Sequence, residues 1–249
     1  MSKKKTAILH IGIHKTGSTS IQRFLGVNRS KLRQCGIDFY SGIHHLNNHV
    51  ELHTAAIRTS RETPFKLTSG VLVNDDYRNL VRDRVREYVS NSECESVLFS
   101  AEGLSYLRYD DELERLTSMI PAEDIRVIMY LRNPDSFMKS YKLELKKNNI
   151  KFSEDKESVA YVLDDTWLTN YGERVSFFRN WFGDSNTFVL DFDDEVRQSR
   201  SVIPSFLTSL GLKSEFCPQD WENLFLNQGP PPSKSRWFTR RSKKLRNFR

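Results

Sequence analysis

Residues 8–20, ILHIGIHKTGSTS, decide the fold. Residues 7–11 read as a buried strand that breaks at Gly12 into a polar turn holding Lys15, Gly17 and four hydroxyl residues. Helix-forming sequence follows at 21–25. Strand, glycine turn and helix N-terminus together aim free backbone N–H groups and the positive end of a helix dipole at one point, which suits a phosphate. The Walker A order, G-x-x-x-x-G-K-[ST], puts its lysine directly after the last glycine. Here Lys15 precedes Gly17 by two residues, so the cradle is of another kind.

Outward from this loop, apolar strands and amphipathic helices alternate. Helix-like sequence runs to about Cys35 and stops at Gly36, and IDFY (37–40) reads as a short strand. Residues 41–76 are irregular and histidine-rich, with one helix near 50–58. Residues 75–91 carry Leu80, Val81, Val85, Tyr88 and Val89 on one helical face, with Asp75 or Asp76 suited to the N-cap. A strand at 95–100, a helix at 110–120 and a buried strand at 125–131 follow, and Pro134 opens the next helix in its first turn. An amphipathic helix at 171–183 closes at Gly183, a strand spans 186–192, and a helix at 202–210 ends at Gly211. This order predicts an α/β three-layer sandwich with a central, mostly parallel sheet, as one domain over 1–249. HKTGSTS, SAEG and RNPDS all fall at strand carboxyl ends, where such sheets gather ligands.

At 249 residues, with 38% hydrophobic and 12% aromatic content, the chain can bury a full α/β core. No apolar run approaches the roughly 20 residues that span a bilayer. The basic–apolar start, MSKKKTAILHIGIHK, is too short and too interrupted for a signal peptide. Cys35, Cys94 and Cys217 are scattered without metal spacing and suit a reducing compartment, so the expected location is cytoplasmic. Eight of the 38 basic residues lie in 233–249 without an acid, which leaves 30 basic against 32 acidic residues elsewhere. That tail reads as solvated, or else as a hold on a polyanionic cofactor or acidic polymer. Its aromatics Trp237, Phe238 and Phe248 are few and no nucleic-acid motif accompanies them, so nucleic acid is not an expected partner.

Two further clusters bear chemistry. Arg132-Asn133-Pro134 is followed eight residues later by Ser140, which offers a bidentate fork and a hydroxyl to one phosphate. Glu102, in Ser100-Ala101-Glu102, stands just past a buried strand, either as a general base or as a structural helix cap. His14 is a second acid/base or phosphate-contact candidate, or a loop histidine with a structural hydrogen bond. His44, His45, His49 and His53 lack the accompanying cysteine or carboxylate pattern of a zinc site and read as a polar substrate loop or surface histidines. Glu51, among them, is an alternative base.

HIGIHKTGSTSIQ (10–22) followed by YLRNPDSFMKSY (130–141) resembles the 3′-phosphoadenosine-5′-phosphosulfate (PAPS)-dependent sulfotransferases of P-loop fold, in particular their short soluble bacterial members. The resemblance implies that Lys15, Thr16, Gly17, Ser18, Thr19 and Ser20 hold the 5′-phosphosulfate and that Arg132 and Ser140 hold the 3′-phosphate. It puts Glu102 where the family keeps its catalytic base. The implied products are 3′,5′-ADP and a sulfated hydroxyl, less readily an amine, on a carbohydrate, glycolipid or small metabolite. Lys15, a compact charge, would neutralise the leaving oxygen, and no metal is expected. The R-K-G segment that completes the 3′-phosphate site in the cytosolic enzymes of animals is missing. Residues 223–238, with Lys234, Arg236 and Trp237, are the candidate substitute. The rival readings are a P-loop nucleotide-dependent kinase and a non-catalytic polyanion-binding protein. No signature fixes the oligomeric state.

Overall fold

In the computed structural model, residues 4–224 are described. Among them, β1 (Thr6–His10), β2 (Ile37–Phe39), β3 (Ser96–Ser100), β4 (Asp124–Leu131) and β5 (Thr187–Asp191) form one sheet in the order β2-β3-β1-β4-β5. Every pairing is parallel. Parallel neighbours need long crossovers, and helices supply them. These helices are α1 (Ser18–Val27), α2 (Arg29–Gln34), α3 (Val50–Ala56), α4 (Pro64–Ser69) and α5 (Asp75–Asn91). They continue as α6 (Asp110–Met119), α7 (Pro134–Lys147), α8 (Tyr171–Phe182), α9 (Phe192–Ser199) and α10 (Ile203–Ser209).

Successive strand residues point to opposite faces, so each strand serves two cores. Ala7, Leu9, Val97, Phe99, Val127 and Met129 pack with α3, α5, α6, α7 and α8 on one face. Ile8, Leu98, Ile128 and Tyr130 pack with α1, α2 and α10 on the other. The three-layer sandwich expected from the alternation is the one observed. β1 is central: His10 is level with Ser100 of β3 and with Ile128 of β4. Ile11 N–H and Ile13 N–H still donate to the carbonyls of Ile128 (2.9 Å) and Tyr130 (3.2 Å), so the chain stays beside β4 until the loop turns. The loop therefore opens at the carboxyl edge, between strands reached by separate crossovers.

Several boundaries differ from the sequence reading. The helix expected to reach Cys35 breaks at Asn28, whose side chain donates to the Phe24 carbonyl at 2.9 Å and competes with the helical ladder. Asn74, not Asp75 or Asp76, caps α5, its side chain accepting from Tyr77 N–H at 2.9 Å. Leu80 is 58% exposed, because the buried stripe of α5 is the narrower Val81–Val85–Val89 row. Residues 41–76 hold a second helix, α4, started by a Thr63 cap and Pro64. α9 follows β5 directly because Asp191 caps it through Asp193 and Asp194 N–H. Pro134 and Gly183 stand where the sequence placed them, at the first turn of α7 and the end of α8. No helix among the described residues is long and apolar enough to cross a membrane. Lys234, Arg236, Trp237 and the basic tail lie outside the described residues.

One buried ion pair fixes the chain between α3 and α6. Glu112 is fully buried and accepts from Arg61 Nη1 at 2.7 and 2.8 Å, and from the N–H groups of Arg58 (2.9 Å) and Arg108 (3.0 Å). Glu112→Ala strands the Arg61 charge and is expected to destabilise by about 3–5 kcal/mol. A denaturant midpoint equal to that of the wild type would contradict this role.

Candidate active site

The loop's geometry depends on two glycines. A Cβ on Gly12 would meet Thr16 Oγ1 at 2.8 Å. Gly17 has φ 78° and lies so close to Val202 that a Cβ there would meet its Cγ2 at 2.9 Å. Lys15 also adopts a left-handed φ, 69°, which non-glycine residues rarely take and which concentrates at functional turns. Thr16 is buried, and its hydroxyl donates to the Ile13 carbonyl at 2.6 Å, closing the turn. Ser18 is buried with Oγ unpartnered among the described residues, whereas Thr19 is exposed. The N–H groups of Thr16, Gly17, Ser18 and Thr19 donate to no group among the described residues, as expected of a helix N-terminus. Beneath them His10 Nδ1 meets Ser100 Oγ at 2.8 Å, and Gln22 Nε2 donates to the same oxygen at 3.2 Å. Burial pushes the His10 imidazole down to about 4, partly opposed by Glu102, so it is neutral near pH 7.

The second cluster joins the first. Arg132 Nη1 donates both to the Lys15 carbonyl (3.2 Å) and to Ser140 Oγ (3.3 Å). Asp193 Oδ1 lies 3.8 Å from Arg132 Nε, and its Oδ2 accepts from Asn133 N–H at 2.7 Å. Asp193 thus holds the guanidinium from one edge and fixes the start of α7. Lys15 forms an ion pair with Glu144, which sits one helical turn after Ser140 on α7.

The third cluster is a dyad. His14 Nδ1 lies 2.6 Å from Glu102 Oε2, while His14 Nε2 is covered and has no partner among the described residues. The ring rests between Tyr106 and Tyr141, at centroid distances of 5.2 and 5.7 Å. Burial alone would raise the Glu102 carboxyl, but His14, His10 and Lys15 together hold it below its ordinary value. As an ionised partner, Glu102 is suited to orient His14 Nδ1–H and leave Nε2 as a proton acceptor.

The histidine-rich segment splits. His44 and His45 are exposed beside Phe65, with His44 Nε2 3.1 Å from Tyr77 Oη. His49 and His53 are buried, which corrects the surface reading for this pair. His49 Nδ1 accepts from Ser100 N–H at 3.0 Å and latches α3 to the end of β3, with burial holding its imidazole at about 3. His53 packs on the backbone after Glu102, where a Cβ on Gly103 would meet its Nδ1 at 2.3 Å. Glu51 is fully buried, accepts from Ile43 N–H at 3.1 Å and makes no contact with His14 or Glu102 among the described residues. Burial pushes it up to about 7. Among the described residues no group of His, Cys, Asp or Glu is arranged to hold a metal ion.

Sequence reasoning brought Lys15, Arg132, Ser140, His14 and Glu102 to one crevice, and the structure gathers them there. It overlooked His10, Glu144 and Asp193. Glu144 had a signal in its four-residue spacing from Ser140. Asp193 had none, because its role depends on how α9 packs.

No protein-family model and no curated protein matches the sequence. Solved structures do. A sulfotransferase from Alicyclobacillus acidocaldarius is similar at a TM-score of 0.55 and 16% identity, over 90% of this chain and 86% of that one. The sulfotransferase domain of the Synechococcus PCC 7002 olefin synthase aligns at 0.49 and 13% identity, over 92% and 80% of the two chains. The sulfotransferase domain from the curacin biosynthetic pathway aligns at 0.48 and 12%, over 91% and 80%. The chain thus has the fold of the first of these enzymes, of P-loop type.

Two titrations check the electrostatics. By carbon-13 NMR, Glu102 should titrate below 4.5 in the wild type and above it in His14→Ala, where burial is no longer opposed by the imidazole. An unchanged Glu102 titration would break the dyad. Glu51 has the opposite sign: its folded value lies above its unfolded 4.5, so stability falls as pH rises from about 4.5 through about 7. Glu51→Gln should therefore raise Tm at pH 8 relative to the wild type and change it less at pH 4. Equal shifts at both pH values would contradict the assignment.

Proposed function

We propose that this chain is a PAPS-dependent sulfotransferase acting on a hydroxyl of a small molecule or carbohydrate. The observation that carries the reading is Arg132, whose Nη1 touches both the Lys15 carbonyl of the loop and Ser140 Oγ. Two oxyanion sites joined by one guanidinium suit a nucleotide phosphorylated at two separate positions. The cradle suits such a donor: among the described residues the N–H groups of Thr16, Gly17, Ser18 and Thr19 have no partner, and Gly12 and Gly17 leave no room for a side chain. The Alicyclobacillus fold adds support at the level of architecture.

In this reading the N–H groups of Gly17, Ser18 and Thr19, with the hydroxyls of Ser18, Thr19 and Ser20, hold the 5′-phosphosulfate. Thr16 shapes the turn through Ile13. Arg132 and Ser140 hold the 3′-phosphate, with Asp193 fixing the guanidinium. The donor supplies a sulfuryl group whose sulfur passes from the bridging oxygen of the 5′-phosphate to the acceptor oxygen. Lys15, drawn from Glu144, places its ammonium where negative charge grows on that bridging oxygen. The acceptor proton goes to His14 Nε2, with Glu102 holding Nδ1–H and balancing the imidazolium.

Two measurements test this. Titration with 3′,5′-ADP should show binding that ATP–Mg²⁺ cannot match, and preference for ATP–Mg²⁺ would turn the reading to a kinase. Binding of both ligands that vanishes when residues 239–249 are deleted, with Lys234, Arg236 and Trp237 left in place, would turn it to a polyanion-binding tail. In turnover with labelled PAPS, Lys15→Ala and His14→Ala should each lower kcat by about 10²–10⁴. Near-normal turnover of His14→Ala beside an inactive Glu102→Gln would return the base to Glu102.

A further inference from the structure

Beyond the His14 ring lies a buried charge that meets no counter-charge among the described residues. Arg174 stands on α8 in the row Tyr171–Arg174–Val175–Phe178, where the helical period calls for an apolar residue. It is 8% exposed, and its guanidinium lies 5.7 Å from the Trp167 ring and 5.9 Å from the Tyr171 ring. The strongest electrostatic influences on it come from Tyr171, Tyr106, Tyr141 and Arg108, with no carboxylate among them. Arg108 is itself committed to Glu157.

Donors there outnumber acceptors. Tyr106 and Tyr141 spend their hydroxyls on one another at 3.0 Å, and Tyr141 donates onward to the Val159 carbonyl at 3.1 Å. Arg174 Nη2 and Trp167 Nε1 are buried with no hydrogen-bond partner among the described residues. A buried guanidinium without a counter-charge is costly, and folded proteins rarely leave such donors unmet. Burial correspondingly holds Arg174 below the ordinary arginine value. Arg61 makes the contrast, being equally buried but matched by Glu112. The same two tyrosines flank His14, which connects Arg174 to the reacting end of the crevice.

We infer that Arg174 is a specificity residue that receives an oxyanion carried by the acceptor, so the acceptor is a hydroxylated acid rather than a neutral alcohol. The inference rests on the sulfotransferase reading for the acceptor's fate. A planar fork on a carboxylate or phosphate satisfies the stranded nitrogen and supplies the missing charge.

The test uses the full chain saturated with 3′,5′-ADP and reads the Arg174 side-chain nitrogen-15 resonance, assigned by its loss in Arg174→Lys. Acetate, inorganic phosphate and neutral acetamide are titrated at constant ionic strength. Acetate or phosphate should give a saturable shift with affinity at least about tenfold above that of acetamide, the margin expected of a charge-assisted contact. The stronger of the two anions tells a carboxylate acceptor from a phosphorylated one. In Arg174→Gln the anion affinity, followed on neighbouring resonances, should drop by at least about tenfold, with 3′,5′-ADP binding unchanged. No saturable shift, or an equal one with acetamide, overturns the inference. So does a shift of Arg174 caused by 3′,5′-ADP that blocks the anions, because the residue then belongs to the donor. Should Arg174→Gln fail to fold, the wild-type titration alone decides. Failure of 3′,5′-ADP to bind at all is a failure of the sulfotransferase reading instead.

Discussion

The site depends on one backbone event: the central strand ends in a turn that can close only over two glycines. Gly17 takes a left-handed conformation in van der Waals contact with Val202, and Gly12 leaves room for the Thr16 and Ser18 hydroxyls. The N–H groups of Thr16, Gly17, Ser18 and Thr19 consequently stand at the carboxyl edge of the sheet with no partner among the described residues. A strand in the middle of a parallel sheet is held on both sides, so the turn inherits the rigidity of β3 and β4. Each other candidate residue is positioned relative to it. Arg132 arrives from β4, Glu102 from β3, and Ser140 and Glu144 from α7.

The second organising theme is paired charge. Lys15 is matched by Glu144, Arg132 by Asp193, and His14 by Glu102. Cations gathered for an anionic ligand repel one another, and neighbouring carboxylates offset that repulsion in the folded protein. The carboxylates also keep the cations aimed. In the proposed reaction a phosphate takes over Lys15 from Glu144, whereas Asp193 stays on the far edge of Arg132. Glu102 differs from both, since its partner is the group that gains a proton. Its depressed pKa therefore fits an orienting anion better than a base.

Much of the fold was legible because its signals are local. Alternating apolar runs gave the strands, Pro134 and Gly183 punctuated helices as their backbone limits require, and strand-loop-helix order located the cradle. Failures arose where a side chain competes with the backbone or where packing decides. Asn28 broke a helix by bonding to Phe24, and Asn74 displaced two aspartates as cap. His49 and His53 looked like surface residues because nothing local announces burial, yet one latches to Ser100 and the other seals against Gly103. In the candidate site, residues that stand in a motif were legible as candidates, and those acting through tertiary contact were not. The direction of the Glu102 shift belongs to the second group, since it comes from a ring placed opposite it by another loop.

One ligand is expected to occupy both oxyanion sites at once, and a crystal structure of the full chain with 3′,5′-ADP would show it. The 5′-phosphate should sit on the N–H groups after Lys15 and the 3′-phosphate on Arg132 and Ser140, with the Lys15 ammonium moved from Glu144 toward the 5′-phosphate. A nucleotide whose 3′-phosphate lies in solvent, with Arg132 still on the Lys15 carbonyl and Ser140, would contradict it.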